Sequence, residues 1–356
     1  MDFSLLFFGL FALVYLGAML YLANMQELAR FKPQLAPVDK ARQQSETALR
    51  WMLYGIAGIM FVMGLLILQV AALPVESVPA DLQIPAIDIN AALVNFFIAA
   101  AAAYLSVRLV ISQPLRHVVR RLTGTNSTYT AESYVHVTAM VLALAMVTIT
   151  IGQAVSSGGM TGLAQNIEAS DISPGQMAFQ TALFIALALL GVGVAIRRTW
   201  PQTLNRMGLR LPTTADITWG IGAGTLLYFT EIILVMIWFS ISSPELIAEQ
   251  SAASAQFANL FDTLPLALAL SLSSAVSEEI LFRGALQPVF GLGLTSLFFA
   301  LVHIQYTFTP ITGIIFIVAL GLGWLRQRQS TSAAIIAHFI YNFVQLALAI
   351  LFAGAF

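Results

Sequence analysis

Four apolar stretches in the second half of the chain contain side chains capable of acid–base chemistry. Glu278, Glu279 and Arg283 lie in Ser277-Glu278-Glu279-Ile280-Leu281-Phe282-Arg283, and His303 ends Phe299-Ala300-Leu301-Val302-His303. His338 and Asn342 bracket His338-Phe339-Ile340-Tyr341-Asn342, and Glu231 follows Tyr228-Phe229-Thr230. An Asp or Lys at the centre of a membrane helix costs about 2.5–3.5 kcal/mol, and Glu is comparable, so each such residue is a candidate for function. A glutamate, two histidines and an asparagine converging in a low-dielectric cavity suit the attack of water on a carbonyl. Glu278 would take the water proton, a histidine would hold the water or relay the proton, and His338 with Asn342 would donate to the oxyanion. The same Glu278, His303 and His338 also form a two-histidine, one-glutamate zinc set with an open position for water, which leaves zinc an open question as cofactor.

Helical spacing divides these roles further. Glu279 and Arg283 are i,i+4 with the acid first, the favourable order for an ion pair on one face. Glu278 lies about 100° round the helix from Glu279, so the arginine can neutralise Glu279 as a structural pair and leave Glu278 free for a proton. His338 and Asn342 share a face by the same spacing. If the Glu278 helix runs to about Phe290 and turns at Gly291-Leu292-Gly293, then Glu278, His303 and His338 all lie roughly 15–20 Å from the same end of their helices. Each signal has an ordinary alternative: an ion-pair cluster, or a histidine bonding a neighbouring helix. His117 and His136, at loop and span-end positions, take that ordinary reading. Glu231 is read as structural, whether it faces the cavity, pairs with Arg283, or stays protonated against Thr230 or another helix.

The elements that must position these groups are membrane helices. Charged residues are 9% of the chain, against about 25% in a soluble domain, and 59% is hydrophobic. This excludes a soluble globule and points to an all-α polytopic transmembrane bundle. Apolar stretches fall at about 4–23, 51–73, 91–107, 135–155, 175–196, 217–241, 262–283, 292–307, 309–325 and 331–353, about ten spans. All 16 Lys and Arg follow odd-numbered spans or lie near their ends, while the alternate loops carry only acids such as Glu76, Asp81, Glu168, Asp171, Glu245 and Glu249. The positive-inside rule then places both termini outside. The acidic start, Met1-Asp2-Phe3, reads as a retained span, not a cleaved signal. A net charge of −1 gives no field for nucleic acid, and the absence of Cys removes thiolate chemistry and disulfides. The basic loop 197–216 divides the chain into residues 1–200, a five-span region of unread role, and 201–356, which carries the polar groups.

These residues resemble the CAAX prenyl endopeptidase and bacteriocin-processing (CPBP, or Abi) family of intramembrane proteases. Its three motifs, Glu-Glu-x-x-x-Arg, Phe-x-x-x-His and His-x-x-x-Asn, occur complete and in order as Glu278-Glu279-x-x-x-Arg283, Phe299-x-x-x-His303 and His338-x-x-x-Asn342. Gly208-Leu209-Arg210 also looks like the segment preceding this core in bacterial members. The resemblance covers about residues 200–356. It implies an endopeptidase of a bacterial cell membrane, acting on a membrane-associated peptide or protein, with a cavity open to the cytoplasmic side. Glu278 and His303 would activate water, and His338 with Asn342 would hold the oxyanion. Members have been described both as metalloproteases and as glutamic peptidases, so the family assigns no metal. The alternative from a different class is a non-catalytic scaffold or peptide-immunity protein, or a proton-coupled carrier using Glu231 and Glu278.

Overall fold

The computed structural model describes residues 3–35, 39–74, 87–122, 130–158, 162, 174–259, 261–303 and 310–352. The acids Glu76, Asp81, Glu168 and Asp171 and the end of the expected eighth span lie outside these residues. The fold is all-α: among the described residues the only extended pairing is an isolated bridge between Val194 and Arg198. In chain order the helices are α1 (Phe3–Phe31), α2 (Asp39–Ala71), α3 (Ile89–Ile111), α4 (Gln113–Leu122), α5 (Tyr134–Ser156) and α6 (Pro174–Val192). They continue with α7 (Trp200–Met207), α8 (Thr214–Ile241), α9 (Pro244–Asn259), α10 (Leu264–Glu278), a π-helical segment (Glu279–Leu286), α11 (Gln287–Leu301), α12 (Pro310–Arg328) and α13 (Thr331–Phe352).

Nine helices among the described residues are long and apolar enough to cross a membrane, against the ten expected. The seventh and eighth expected spans form one helical run, Leu264–Leu301. This run is not straight. Phe282 and Phe299 have ring centroids 5.1 Å apart, yet seventeen residues of continuous α-helix would separate them by roughly 25 Å. The chain doubles back at Gly291, whose φ of 75° and ψ of 176° interrupt the helix at the anticipated turn. The returning arm, residues 292–301, is only about 15 Å of helix, so it is not counted as a span of its own.

Pro288 explains the irregularity before the turn. Lacking an N–H and clashing with the carbonyl four residues back, it cannot continue a regular α-helix over Gly284. The preceding turn widens to π geometry, with the Gln287 N–H donating to the Phe282 carbonyl five residues earlier. Arg206 of α7 donates to the Gly284 carbonyl at 3.3 Å. Burial, followed by the charges of Arg198, Arg326 and Arg197, pushes the Arg206 guanidinium down to about 10, still a cation at neutral pH.

The basic loop is a clamp on the start of α13. Gly208 closes α7 in the left-handed conformation, and its carbonyl accepts from the Thr331 N–H at 2.9 Å. The Thr331 hydroxyl donates to the Met207 carbonyl, and the Ser332 hydroxyl donates to the Arg210 carbonyl. Asp216, fully buried, accepts from Nε and Nη2 of Arg210 and from the Ser330 hydroxyl. These bonds fix the register from which His338 is reached two turns later.

Packing also runs across residue 200. One core cluster joins Leu109 of α3 and Met140 and Ala143 of α5 to Phe282, Phe290, Phe298 and Phe299. On the other side, α8 lies directly on α13: a Cβ added at Gly224 would come within 2.5 Å of the Ala337 carbonyl, so only a residue without a side chain permits this approach.

Gly291 adopts a backbone region essentially closed to other residues. Gly291→Ala is expected to destabilise the protein by about 1–3 kcal/mol, read as a lowered thermal midpoint in detergent. An unchanged midpoint would show that the reversal does not depend on this conformation.

Candidate active site

A cavity of about 700 Å³ lies between α5, α6, α8, α10, α12 and α13, and each helix gives it one stripe. From α10 come Leu270, Ser274 and Glu278; from α13, His338, Asn342, Gln345 and Ala349; from α8, Glu231, Val235 and Phe239. These follow the i, i+4, i+7 or i+8 spacing of a single helix face. Glu278, His303, His338 and Asn342, distant in sequence, therefore share one cavity.

Glu278 is the last residue of α10, immediately before the π segment. Its Oε2 has no hydrogen-bond partner among the described residues and lies 3.8 Å from His303 Nε2. His303 follows the returning arm, with its ring against Phe299 and its Nδ1 2.6 Å from the Phe299 carbonyl. A carbonyl only accepts, so Nδ1 carries the proton and Nε2 is directed at Glu278.

Glu279 faces away from Glu278 into the packed interior. It and Arg283 are both completely buried, 3.2 Å apart between Oε2 and Nε. Neither atom meets the alignment of a hydrogen bond, so this contact is ionic in character. Arg283 also donates to the Ala319 carbonyl at 3.3 Å and covers the Phe299 ring at 4.7 Å. The other carboxylate oxygen, Oε1, is 3.0 Å from His338 Nδ1. This second partner was not foreseen from the sequence, and it alters the reading of His338. With Nδ1 donating to a carboxylate, Nε2 is an acceptor in the neutral ring. It is a donor only in the imidazolium.

Glu231 lines the cavity and accepts a hydrogen bond from Gln345 Nε2 at 2.6 Å. Arg283 is engaged elsewhere, and the Thr230 hydroxyl donates to the Leu226 carbonyl. His117 lies beside the exposed Glu132, and His136 Nδ1 accepts from the Thr130 N–H, both away from the site. Gln153 of α5, Gln180 of α6 and Gln250 of α9 also line the cavity. Their signal, an amide within or beside an apolar span, was present in the sequence and passed over.

Two further expectations meet the geometry here. The cavity was expected to open to the cytoplasmic side; its stripes run from Glu278, Glu231 and His338 towards the Arg-poor helix ends, and no Lys or Arg is among its lining residues. For the zinc set, among the described residues no three His, Asp or Glu side chains converge as ligands for one ion. Glu278 and His303 approach each other, but His338 is turned to Glu279.

Residues 260–344 match the family described as Type II CAAX prenyl endopeptidase Rce1-like. This Rce1-like segment contains all three motifs and supports an intramembrane CAAX-type protease. No curated protein and no solved structure matches the chain significantly. The chain is an integral membrane protein, and its Rce1-like segment supplies every residue of the Glu278 cluster, while α5, α6 and α8 complete the cavity from outside it.

Removing either member of the Glu279–Arg283 pair leaves a buried charge without its ionic partner. Glu279→Ala and Arg283→Ala are each expected to destabilise the protein by about 3–5 kcal/mol, measured by thermal or denaturant unfolding in detergent. Wild-type stability of Arg283→Ala would contradict the pairing.

Proposed function

We propose that the chain is an intramembrane endopeptidase that hydrolyses a peptide bond of a membrane-associated protein or peptide. The observation that carries this reading is the convergence of Glu278, His303, His338 and Asn342 on one cavity. A water held between the Glu278 carboxylate and His303 Nε2 lies within hydrogen-bond reach of both. Glu278 takes a proton from it, the resulting hydroxide oxygen bonds to the scissile carbonyl carbon, and the carbonyl electron pair moves onto oxygen. Asn342 Nδ2 and the Nε2–H of protonated His338 donate to that oxyanion. The tetrahedral centre collapses, the C–N bond breaks, and the proton held by Glu278 passes to the leaving amine, with His303 as the adjacent relay.

Glu279 acts through His338, orienting its ring much as a carboxylate orients a catalytic histidine. The positive-inside rule supports Arg-rich ends in the cytoplasm and both termini outside. The substrate class follows the Rce1-like match, a protein or peptide tail carried at the membrane.

The test is cleavage of a fluorogenic, lipidated peptide by purified protein in nanodiscs. Glu278→Ala and His303→Ala should each lower kcat by about 10²–10⁴-fold, and Asn342→Ala by about 10²–10³-fold, with folding retained. Cleavage by Glu278→Ala at the wild-type rate would end this reading.

A further inference from the structure

The cavity extends well beyond the reacting groups. From His338 to Ala349 along α13 is roughly 16 Å of helix, from Glu278 to Leu270 along α10 roughly 12 Å, and from Glu231 to Phe239 along α8 roughly 12 Å. These stripes all run the same way, towards the Arg-poor helix ends. A trough of that length accommodates about four residues of extended chain at roughly 3.3 Å each.

Its polar lining has a consistent character. Carboxamides come from four helices, Gln153, Gln180, Gln250 and Gln345. A carboxamide both donates and accepts, as a peptide unit does, so amides spaced along an apolar trough suit an extended backbone irrespective of its sequence. The one acid beyond the reacting end is Glu231. It accepts from Gln345, and the Tyr341 hydroxyl is a second hydrogen-bonding neighbour. No Lys, Arg or His of the described residues forms an ion pair with it. A carboxylate inside a membrane protein without a cation partner is costly, and either a proton or a cationic ligand group relieves that cost. Gln345 lies seven residues beyond His338, roughly 10 Å along α13, or about three extended residues from the oxyanion site.

We propose that this trough is an extended-peptide subsite in which Glu231, held by Gln345, receives a basic side chain about three residues from the scissile bond. Gln153 and Gln180 bond the substrate backbone opposite it, which gives α5 and α6, outside the Rce1-like segment, a direct part in substrate binding. The inference rests on the peptidase reading for the identity of the reacting end, but binding and cleavage can be measured separately.

The probe is a set of fluorescein-labelled synthetic peptides of alanine and leucine in which one lysine, or one norleucine, is moved along the chain. Binding is measured to full-length Glu278→Ala protein in nanodiscs. Lysine at one register should bind about tenfold more tightly than norleucine at that register. Adding Glu231→Gln should reduce this ratio to below about twofold while leaving the norleucine peptide unaffected. Gln180→Leu should weaken lysine and norleucine peptides alike. A flat lysine scan, no binding of any peptide, or a ratio that survives Glu231→Gln overturns the subsite. Cleavage of the same peptides by the wild-type protein is scored independently. Register-dependent binding without cleavage would retain the subsite and remove the catalytic reading, whereas cleavage with a flat scan would do the reverse.

Discussion

The buried carboxylate of Glu279 is the contact on which the site depends. One of its oxygens faces the guanidinium of Arg283 and the other the ring of His338, so a single residue of the π segment ties together two helices and a cation. A carboxylate and a guanidinium removed from water are tolerable only as partners. Arg283 gains further from the Ala319 carbonyl and the Phe299 face, and its position constrains α12 and the returning arm as well. The polar centre therefore fixes where the hairpin, α12 and α13 meet, and leaves Glu278 as the carboxylate directed at the cavity.

Two backbone features make that centre possible. Pro288 prevents a regular helix over Gly284, and the π turn that results lies directly after Glu278. Gly291 then reverses the chain so that Phe299 returns beside Arg283, eight residues on either side of the turn. The freed Gly284 carbonyl is taken up by Arg206, which joins the turn to α7 and, through Gly208 and Thr331, to the start of α13. Local irregularity, loop chemistry and the depth of His338 are thus one connected arrangement.

The membrane is why so much of the candidate site was legible in the sequence. Where ionisable residues are expensive, their presence is informative, and Glu278, His303, His338 and Asn342 could be singled out without a structure. Gly291 as a turn followed from glycine's access to positive φ. The π turn was not legible, because whether Pro288 kinks, breaks or widens a helix depends on who satisfies the Gly284 carbonyl, and Arg206 is 78 residues away. The role of His338 shifted for a similar reason: i,i+4 spacing showed it beside Asn342 but not that Glu279 of another helix accepts a hydrogen bond from its Nδ1. Gln153, Gln180 and Gln250 went unremarked because an amide in a membrane helix is ordinarily read as a bond to its neighbour. Only the cavity shows that these three, with Gln345, share one lining. The direction of that cavity was likewise a property of which helix faces meet, and charge counting along loops does not contain it.

The account turns on the Glu279–His338 contact, and the four histidines of the chain make it directly measurable. In protein labelled with ¹⁵N-histidine, the His338 resonances, assigned by their loss in His338→Gln, should show a protonated Nδ1 in a strong hydrogen bond. A His338 ring carrying its proton on Nε2, with Nδ1 bare, would contradict the arrangement from which the oxyanion role of His338 is derived.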